Sequence, residues 1–150
     1  MTDILAPCPG RVFPLAEVSD PVFAAEMVVP GVAIEPDPGE TVVIAPIAGR
    51  IMKIHPHAFA LASSDGVAVL VHLGINTVRL RGAGFDVLAE EGSTVAAGDP
   101  MVRWDPSQIT GDDISTTVMV VALDRPAGSL TSPTLGSPVI AGDLLFSVDA

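Results

Sequence analysis

The sequence predicts an all-β fold, an antiparallel β-sandwich or barrel with one or two short helical turns. The 150 residues include 14 glycines and 14 prolines. These are too many for a helical bundle, since in a helix interior glycine costs about 1 kcal/mol and proline about 3 kcal/mol relative to alanine. The apolar runs are short, rich in Val, Ile and Leu, and bounded by Gly, Pro or Asp, which is typical of strands. Two motifs each occur twice, as expected of a duplicated β unit.

Seven strands are predicted in chain order, at residues 41–46, 49–54, 58–62, 67–73, 100–104, 116–122 and 144–148. Residues 84–92, "GFDVLAEEG", are the one predicted helix, because Phe85, Leu88 and Ala89 would form an apolar face and Gly92 a stop. Residues 124–137, "DRPAGSLTSPTLGS", lack periodicity and are predicted to be a flexible surface loop.

The duplication is visible in two pairs of motifs. "ILAPCPGRV" at 4–12 matches "VIAPIAGRI" at 43–51, and "STVAAGDPMVRWD" at 93–105 matches "SPVIAGDLLFSVD" at 137–149. Each Gly-Asp pair is read as a tight turn that leads into a strand. Two copies of each motif are too few for a solenoid or propeller, so we expect one compact domain over residues 1–150.

Charge and composition exclude several classes of function. The net charge of −11 repels phosphate backbones and anionic lipid surfaces, so nucleic acid and membrane insertion are not expected, whereas a basic protein partner is allowed. No signal peptide and no run of about 18 apolar residues is present, which indicates a cytoplasmic protein. The single cysteine, Cys8, lies between two prolines and is expected to be buried or inert.

All three histidines fall within 18 residues, His55 and His57 in "KIHPHAF" and His72 in "VAVLVHLGINTV". The Ser-Ser-Asp-Gly sequence between the two runs predicts a hairpin. A turn centred on Asp65 and Gly66 would place His72 opposite residue 58 or 59, within reach of His57.

Three interpretations of this cluster remain open on position alone. A single half-buried histidine is most often structural. Three imidazoles can also bind zinc in a hydrolase, although Asp65 lies at the far end of the hairpin and no other general base is evident. Alternatively, one imidazole can attack a phosphoryl group, a reaction that needs no separate base.

A further reading, a lipoyl or biotinyl carrier, is suggested by the "AGD" turns and by Lys53. Such a lysine should sit on an exposed hairpin tip. Lys53 is instead followed by Ile54 in a strand-like run, so an ordinary surface lysine is expected.

Motifs along nearly the whole chain, 4–146, resemble the glucose-type enzyme IIA family of the bacterial sugar phosphotransferase system. They are "ILAPCPGRV", "DPVFAAEMVVPGVAIEP", "APIAGRI", "HAFAL", "GVAVLVHLGINTV", "GAGFDVLAEEGSTVAAGD" and "SPVIAGDLLF". Several long motifs in the family's order make the resemblance specific. It implies a barrel-sandwich of the duplicated hybrid motif type and a free-standing phosphocarrier without a cofactor. A monomer is expected, because the site must be exposed to large partners.

The resemblance also implies roles for the histidines. His72 corresponds to the residue that the phosphocarrier protein HPr phosphorylates at Nε2 and that passes the phosphoryl group to a cysteine of a IIB domain. His57 corresponds to the supporting histidine beside it. The carbonyl of Gly74 would accept a hydrogen bond from Nδ1 of His72 and fix its tautomer.

The family's partner surface, a shallow apolar patch around the two histidines, carries over to Val22, Phe23, Leu70 and Val78, with Asn76 on its rim. The acidic balance of the chain suits the basic face of HPr. Two residues depart from the family pattern: Asn76 where many members have Asp, and His55 where many have Thr. A third imidazole is therefore expected in the pocket, and a supporting role for His55 stays a hypothesis. The sugar is chosen by the membrane permease and cannot be read from this chain.

Overall fold

The computed structural model describes residues 2–14, 31–111, 113–123, 130–131 and 136–148. Strands dominate these ranges, joined by turns and two 3₁₀ helices, Thr77–Leu80 and Pro106–Gln108. In chain order the strands are β1 Thr2–Leu5, β2 Gly10–Pro14, β3 Gly31–Pro36, β4 Thr41–Ile44, β5 Gly49–His55, β6 Ala58–Ala62, β7 Ala68–Ile75, β8 Phe85–Val87, β9 Thr94–Val95, β10 Pro100–Trp104, β11 Ser115–Leu123, β12 Leu130–Thr131, β13 Pro138–Val139 and β14 Leu144–Val148. The all-β prediction is confirmed.

The strands form three antiparallel sheets. The largest has eight strands in the order β13-β2-β3-β11-β7-β6-β5-β9, and two smaller sheets have the orders β1-β14-β12 and β4-β10-β8. Because β1 pairs with β14, the two ends of the described chain lie side by side. Among the described residues, no helix combines the length and apolar character needed to cross a bilayer.

The duplicated motifs occupy equivalent places in the structure. The backbone N–H of Leu5 donates to the carbonyl of Pro46 at 2.9 Å, and that of Ile44 donates to Pro7 at 3.0 Å. The carboxylates of the two Gly-Asp turns also match, since Oδ2 of Asp99 accepts from the N–H of Ala96, and Oδ2 of Asp143 accepts from the N–H of Ile140, both at 2.9 Å. The repeated sequence therefore forms two interlocked copies of one β unit.

The main core joins all three sheets. Its buried side chains include Ile4, Val43, Phe59, Trp104 and Phe146. Strand alternation puts a second, smaller cluster on the opposite face of the eight-stranded sheet. On β11, Val118 and Val120 belong to the main core and Met119 and Val121 to the second cluster, together with Ala33 and Ile75.

Some element predictions are wrong. Residues 84–92 are not a helix, because Phe85–Val87 pairs with β10 and places Phe85 opposite Trp104, where the two rings stack with centroids 5.6 Å apart. The predicted loop over 124–137 contains β12, which pairs with β14, although residues 124–129 and 132–135 lie outside the described ranges. The first three strands were not predicted.

Candidate functional site: a histidine cluster on the eight-stranded sheet

The β6–β7 hairpin brings two of the histidines onto one row of the sheet. Its turn is closed by a hydrogen bond from the N–H of Ser63 to the carbonyl of Val67 at 2.8 Å. His72 is paired with Ala58, as the sequence predicts, and Ala58 is paired in turn with His55 on β5. His72 and His55 thus lie on either side of Ala58 on the same cross-strand row. Met119 continues the row on the other side of His72.

The three imidazole rings form a continuous group. The centroids of His57 and His72 are 5.3 Å apart with their planes at 69°, an edge-to-face arrangement. Those of His55 and His57 are 5.8 Å apart with their planes at 20°, a stacked arrangement. His57 and His72 are half-buried and His55 is exposed. The third imidazole that the sequence predicts in the pocket is therefore present and contacts the ring of His57.

The backbone after His72 fixes the orientation of its ring. Nδ1 of His72 lies 2.5 Å from the carbonyl oxygen of Gly74. A carbonyl oxygen can only accept, so Nδ1 carries the hydrogen and the lone pair of the neutral ring is at Nε2. This is the contact expected from the family resemblance, and it leaves the lone pair of the ring on Nε2.

Gly74 can reach this position only because it has no side chain. Its φ is +90°, in the left-handed region that favours glycine. A Cβ atom there would lie 2.4 Å from Cγ2 of Thr77 and 2.5 Å from the carbonyl oxygen of Ser115. The close packing of β7 on these two neighbours therefore requires glycine.

Two polar residues hold the turn that follows β7. The hydroxyl of Thr77 is fully buried and donates to the carbonyl of Leu73 at 2.7 Å. Nδ2 of Asn76 donates to the carbonyl of Asp113 at 2.8 Å, and both residues adopt positive φ, 63° and 61°. The role of Thr77 was not predicted. The sequence feature that could have indicated it is the polar pair Asn76 and Thr77, which follows a buried strand directly.

The surroundings of His57 favour its neutral form. Burial lowers the pKa of its imidazole, and the nearby rings of His72 and His55 lower it further. A neutral imidazole keeps one N–H, so His57 retains a hydrogen-bond donor without carrying a full charge.

The structure shows where two other residues considered from the sequence lie. Cys8 is fully buried, and burial raises the pKa of its thiol to about 12. Its thiolate, the reactive form, is therefore scarce at neutral pH. Lys53 lies within β5, paired with Ala60, and not at a hairpin tip.

The predicted partner surface is only partly within the described residues. Val78 is 58% exposed and lies two residues after the half-buried Asn76. Leu70 is half-buried and packs against the second hydrophobic cluster. Asn76 is half-buried, and Val22 and Phe23 lie outside the described residues.

The side chains of the described residues were compared with the arrangement that a metal site needs. Within the described ranges, no group of three or more His, Cys, Asp or Glu side chains is arranged to hold a metal ion.

Comparison with known proteins identifies the family. Residues 2–127 match the family model described as phosphoenolpyruvate-dependent sugar phosphotransferase system, EIIA 1. The chain belongs to this EIIA family. The resemblance predicted from the sequence motifs is confirmed, and with it the class of activity, phosphoryl transfer through a histidine. Nothing in the comparisons supports a zinc hydrolase.

Individual relatives agree with this assignment. A glucose-specific EIIA component of Bacillus cereus is 36% identical over 141 residues, which cover 93% of this chain and 84% of that protein. The glucose permease IIA from Mycoplasma capricolum has a TM-score of 0.82 and 30% identity, covering 97% of this chain and 94% of that one.

Some relatives are much longer. A glucoside-specific EIICBA component of Staphylococcus carnosus is 40% identical over 78% of this chain, and a mannose-specific EIIBCA component of Corynebacterium glutamicum is 42% identical over 81%. The matched region is only 17% and 18% of their lengths. In these proteins an EIIA region shares one polypeptide with EIIB and EIIC regions, as their names state.

Proposed function

We propose that this EIIA chain is a phosphocarrier in which His72 takes a phosphoryl group from phospho-HPr and passes it to a cysteine of a IIB domain. The observation that carries the proposal is the hydrogen bond between Nδ1 of His72 and the carbonyl of Gly74, because it directs the lone pair of the ring to Nε2. In the first step the Nε2–P bond forms as the bond from phosphorus to the donor breaks. In the second step the Nε2–P bond breaks as the cysteine sulfur bonds to phosphorus.

His57 is the supporting residue in this proposal. Its ring meets that of His72 edge to face at 5.3 Å, so an N–H at its edge can donate to an oxygen of the transferred group. The lowered pKa of His57 suits this role, since a neutral ring keeps its donor and does not need to lose a proton when the group leaves.

His55 assists less directly. Its ring stacks on that of His57, with centroids 5.8 Å apart and planes at 20°, and this contact can limit the rotation of the His57 ring. Because His55 is exposed, its side chain does not shield the site from solvent. We therefore assign His55 a positioning role.

The remaining features of the proposal concern the whole protein. Its partners are HPr and a IIB domain, which dock on Val22, Phe23, Leu70, Asn76 and Val78. One main hydrophobic core that joins all three sheets supports a single domain over residues 1–150. We expect the protein to be a monomer in the cytoplasm, because the same exposed face must meet two protein partners, one after the other.

The test is phosphorylation with enzyme I, HPr and labelled phosphoenolpyruvate, followed by peptide mapping in alkali, which preserves phosphohistidine. We expect label on the peptide that contains His72. His72→Ala should take no label, whereas His57→Ala should take label from HPr but pass it to the IIB domain at least about a hundredfold more slowly. Label retained in His72→Ala would overturn the assignment.

A further inference from the structure

A cleft of about 350 Å³ lies beside the small sheet of β4, β10 and β8, and none of the three histidines lines it. Its lining includes the stacked rings of Phe85 and Trp104 together with Gly82 and Gly84. Binding sites for small molecules typically have volumes of about 300–1,000 Å³ and combine aromatic side chains with a few polar groups. The cleft therefore has the size and the aromatic lining of such a site.

Trp104 brings to the cleft a hydrogen-bond donor that no described residue satisfies. Trp104 is only 2% exposed, and its indole N–H is buried without an acceptor in the part of the chain that the structure describes. A buried donor without an acceptor is costly, and native proteins seldom retain one. Phenylalanine would also stack on Phe85 and would carry no donor. Since Trp104 lines the cleft, a molecule bound there is placed to supply the acceptor.

The remaining polar groups of the cleft are mostly acidic. Nε of Arg103 lies 3.5 Å from a carboxylate oxygen of Glu40, and a terminal nitrogen of its guanidinium lies 3.0 Å from one of Asp86. Asp105 and the exposed Gln108 also line the cleft. Three carboxylates therefore face a single guanidinium that is already paired with two of them.

This set of groups defines the class of ligand by charge and by hydrogen bonding. The carboxylates repel an anion, and an ammonium group has no acceptor for the indole N–H. A neutral hydroxyl group both donates and accepts, so hydroxyls can satisfy the indole N–H and the carboxylates together. We propose that the cleft binds a small, neutral, polyhydroxylated molecule of about the size of a monosaccharide. This site is separate from the proposed phosphocarrier function and does not depend on it.

The cleft is close to the histidine cluster. Gly82, which lines the cleft, lies against Pro56, since a Cβ atom on Gly82 would meet Cγ of Pro56 at 3.3 Å. Pro56 stands between His55 and His57 in the chain. Because no histidine lines the cleft, binding there uses none of the groups that the phosphoryl transfer needs.

The test uses Trp104 as the reporter, because it is the only tryptophan in the chain. Its fluorescence and its indole N–H resonance are followed while D-glucose, D-mannose or sorbitol is added to the full chain. At least one of these neutral probes should change both signals saturably, with a dissociation constant of about 0.1–10 mM, as expected for a ligand of about a dozen non-hydrogen atoms. Glucose 6-phosphate should bind at least about tenfold more weakly, because the carboxylates repel it. The diamine 1,4-diaminobutane, which has no acceptor, should leave the indole N–H resonance unchanged.

Three variants test where the probe binds, with the backbone amide resonance of Gly84 as the signal. Trp104→Phe should weaken binding by about fivefold to tenfold, since it removes the indole donor. Gln108→Ala changes only an exposed side chain of the lining and should weaken binding by about threefold. Thr110→Ala is the matched control, because Thr110 is exposed but does not line the cleft, and it should bind like the unaltered protein.

Each outcome supports or overturns the proposal. The absence of a saturable response to all three neutral probes overturns it, and so does unchanged affinity in both Trp104→Phe and Gln108→Ala. Tighter binding of glucose 6-phosphate than of the neutral probes overturns the assigned class of ligand. None of these measurements uses HPr or a IIB domain, so their failure leaves the phosphocarrier proposal standing, and label absent from His72 would leave this site standing.

Discussion

At the scale of single residues, His57 is the side chain whose chemistry depends most on its surroundings. Burial is the largest cause of its lowered pKa, followed by the charges of His72 and His55. We expect the ring of His57 to titrate below 6.5 when followed by nuclear magnetic resonance. His72→Gln should raise this midpoint more than His55→Gln, because His72 is the stronger of the two electrostatic contributors.

The same shift predicts how stability depends on pH. The unfolded chain takes up the His57 proton near pH 6.5, before the folded chain does, so the free energy of unfolding should fall as the pH drops below that value. Urea unfolding at about pH 7.5 and about pH 5 measures this change. His57→Gln should reduce this loss of unfolding free energy at low pH. An equal loss in the variant would show that His57 is not its source.

Gly74 offers a sharper test of how the phosphoacceptor ring is held. Gly74→Ala should destabilise the fold by about 2–4 kcal/mol, because the new Cβ would collide with Thr77 and Ser115 at a positive φ. It should also slow phosphorylation of His72 by roughly tenfold or more, since the carbonyl that orients the ring must move.

Gly66→Ala is the matched control for this prediction. Gly66 has a φ of +85°, close to that of Gly74, but a Cβ there would meet nothing within 4 Å. The control should cost only about 1 kcal/mol and leave phosphorylation unchanged. Equal losses of stability in the two alanine variants, measured by urea unfolding, would mean that backbone strain and not packing makes Gly74 necessary.

At the scale of elements, the two Gly-Asp turns should behave as copies. Asp99 and Asp143 each accept a hydrogen bond from the N–H three residues earlier at 2.9 Å. Asp99→Ala and Asp143→Ala should therefore each cost about 0.5–1.5 kcal/mol in urea unfolding. Asp99→Asn keeps the acceptor oxygen and should cost less. A large loss at one turn and none at the other would contradict their equivalence.

The strands that the sequence predicted well are those whose partners are close in the chain. The hairpin of β6 and β7 was predicted with His72 opposite residue 58 or 59, and the partner is Ala58, because its turn and its alternation are both local signals. β1 was missed because it is short and its partner, β14, lies at the other end of the chain.

The helix predicted at residues 84–92 failed for a related reason. Phe85, Leu88 and Ala89 fit a helical spacing, yet Phe85 pairs across strands with Trp104 and Leu88 is 40% exposed. Tertiary pairing with β10 outweighed a weak local preference. The histidine cluster was predicted from sequence, whereas the close approach of Gly82 to Pro56 depends on side-chain packing that no spacing encodes.

At the scale of the whole molecule, the main core joins the two copies of the β unit, and Cys8 lies within it. Cys8 follows Pro7, whose carbonyl accepts from Ile44 in the other copy. Cys8 has no exposed surface, so a reagent reaches this thiol only when the structure around it opens. A thiol reagent should therefore report on global opening of the molecule.

Cys8 is the only cysteine in the chain, so a pulse of iodoacetamide near pH 8 labels a single position. We expect negligible labelling without denaturant, and a labelling transition in urea with the same midpoint as circular dichroism, because the thiol becomes accessible only on unfolding. Above about pH 9 the unfolded thiol ionises while the folded one, with its pKa raised to about 12, does not, so stability should fall with rising pH. Labelling that precedes the circular dichroism transition would instead show that the two copies of the β unit separate before the sheets unfold.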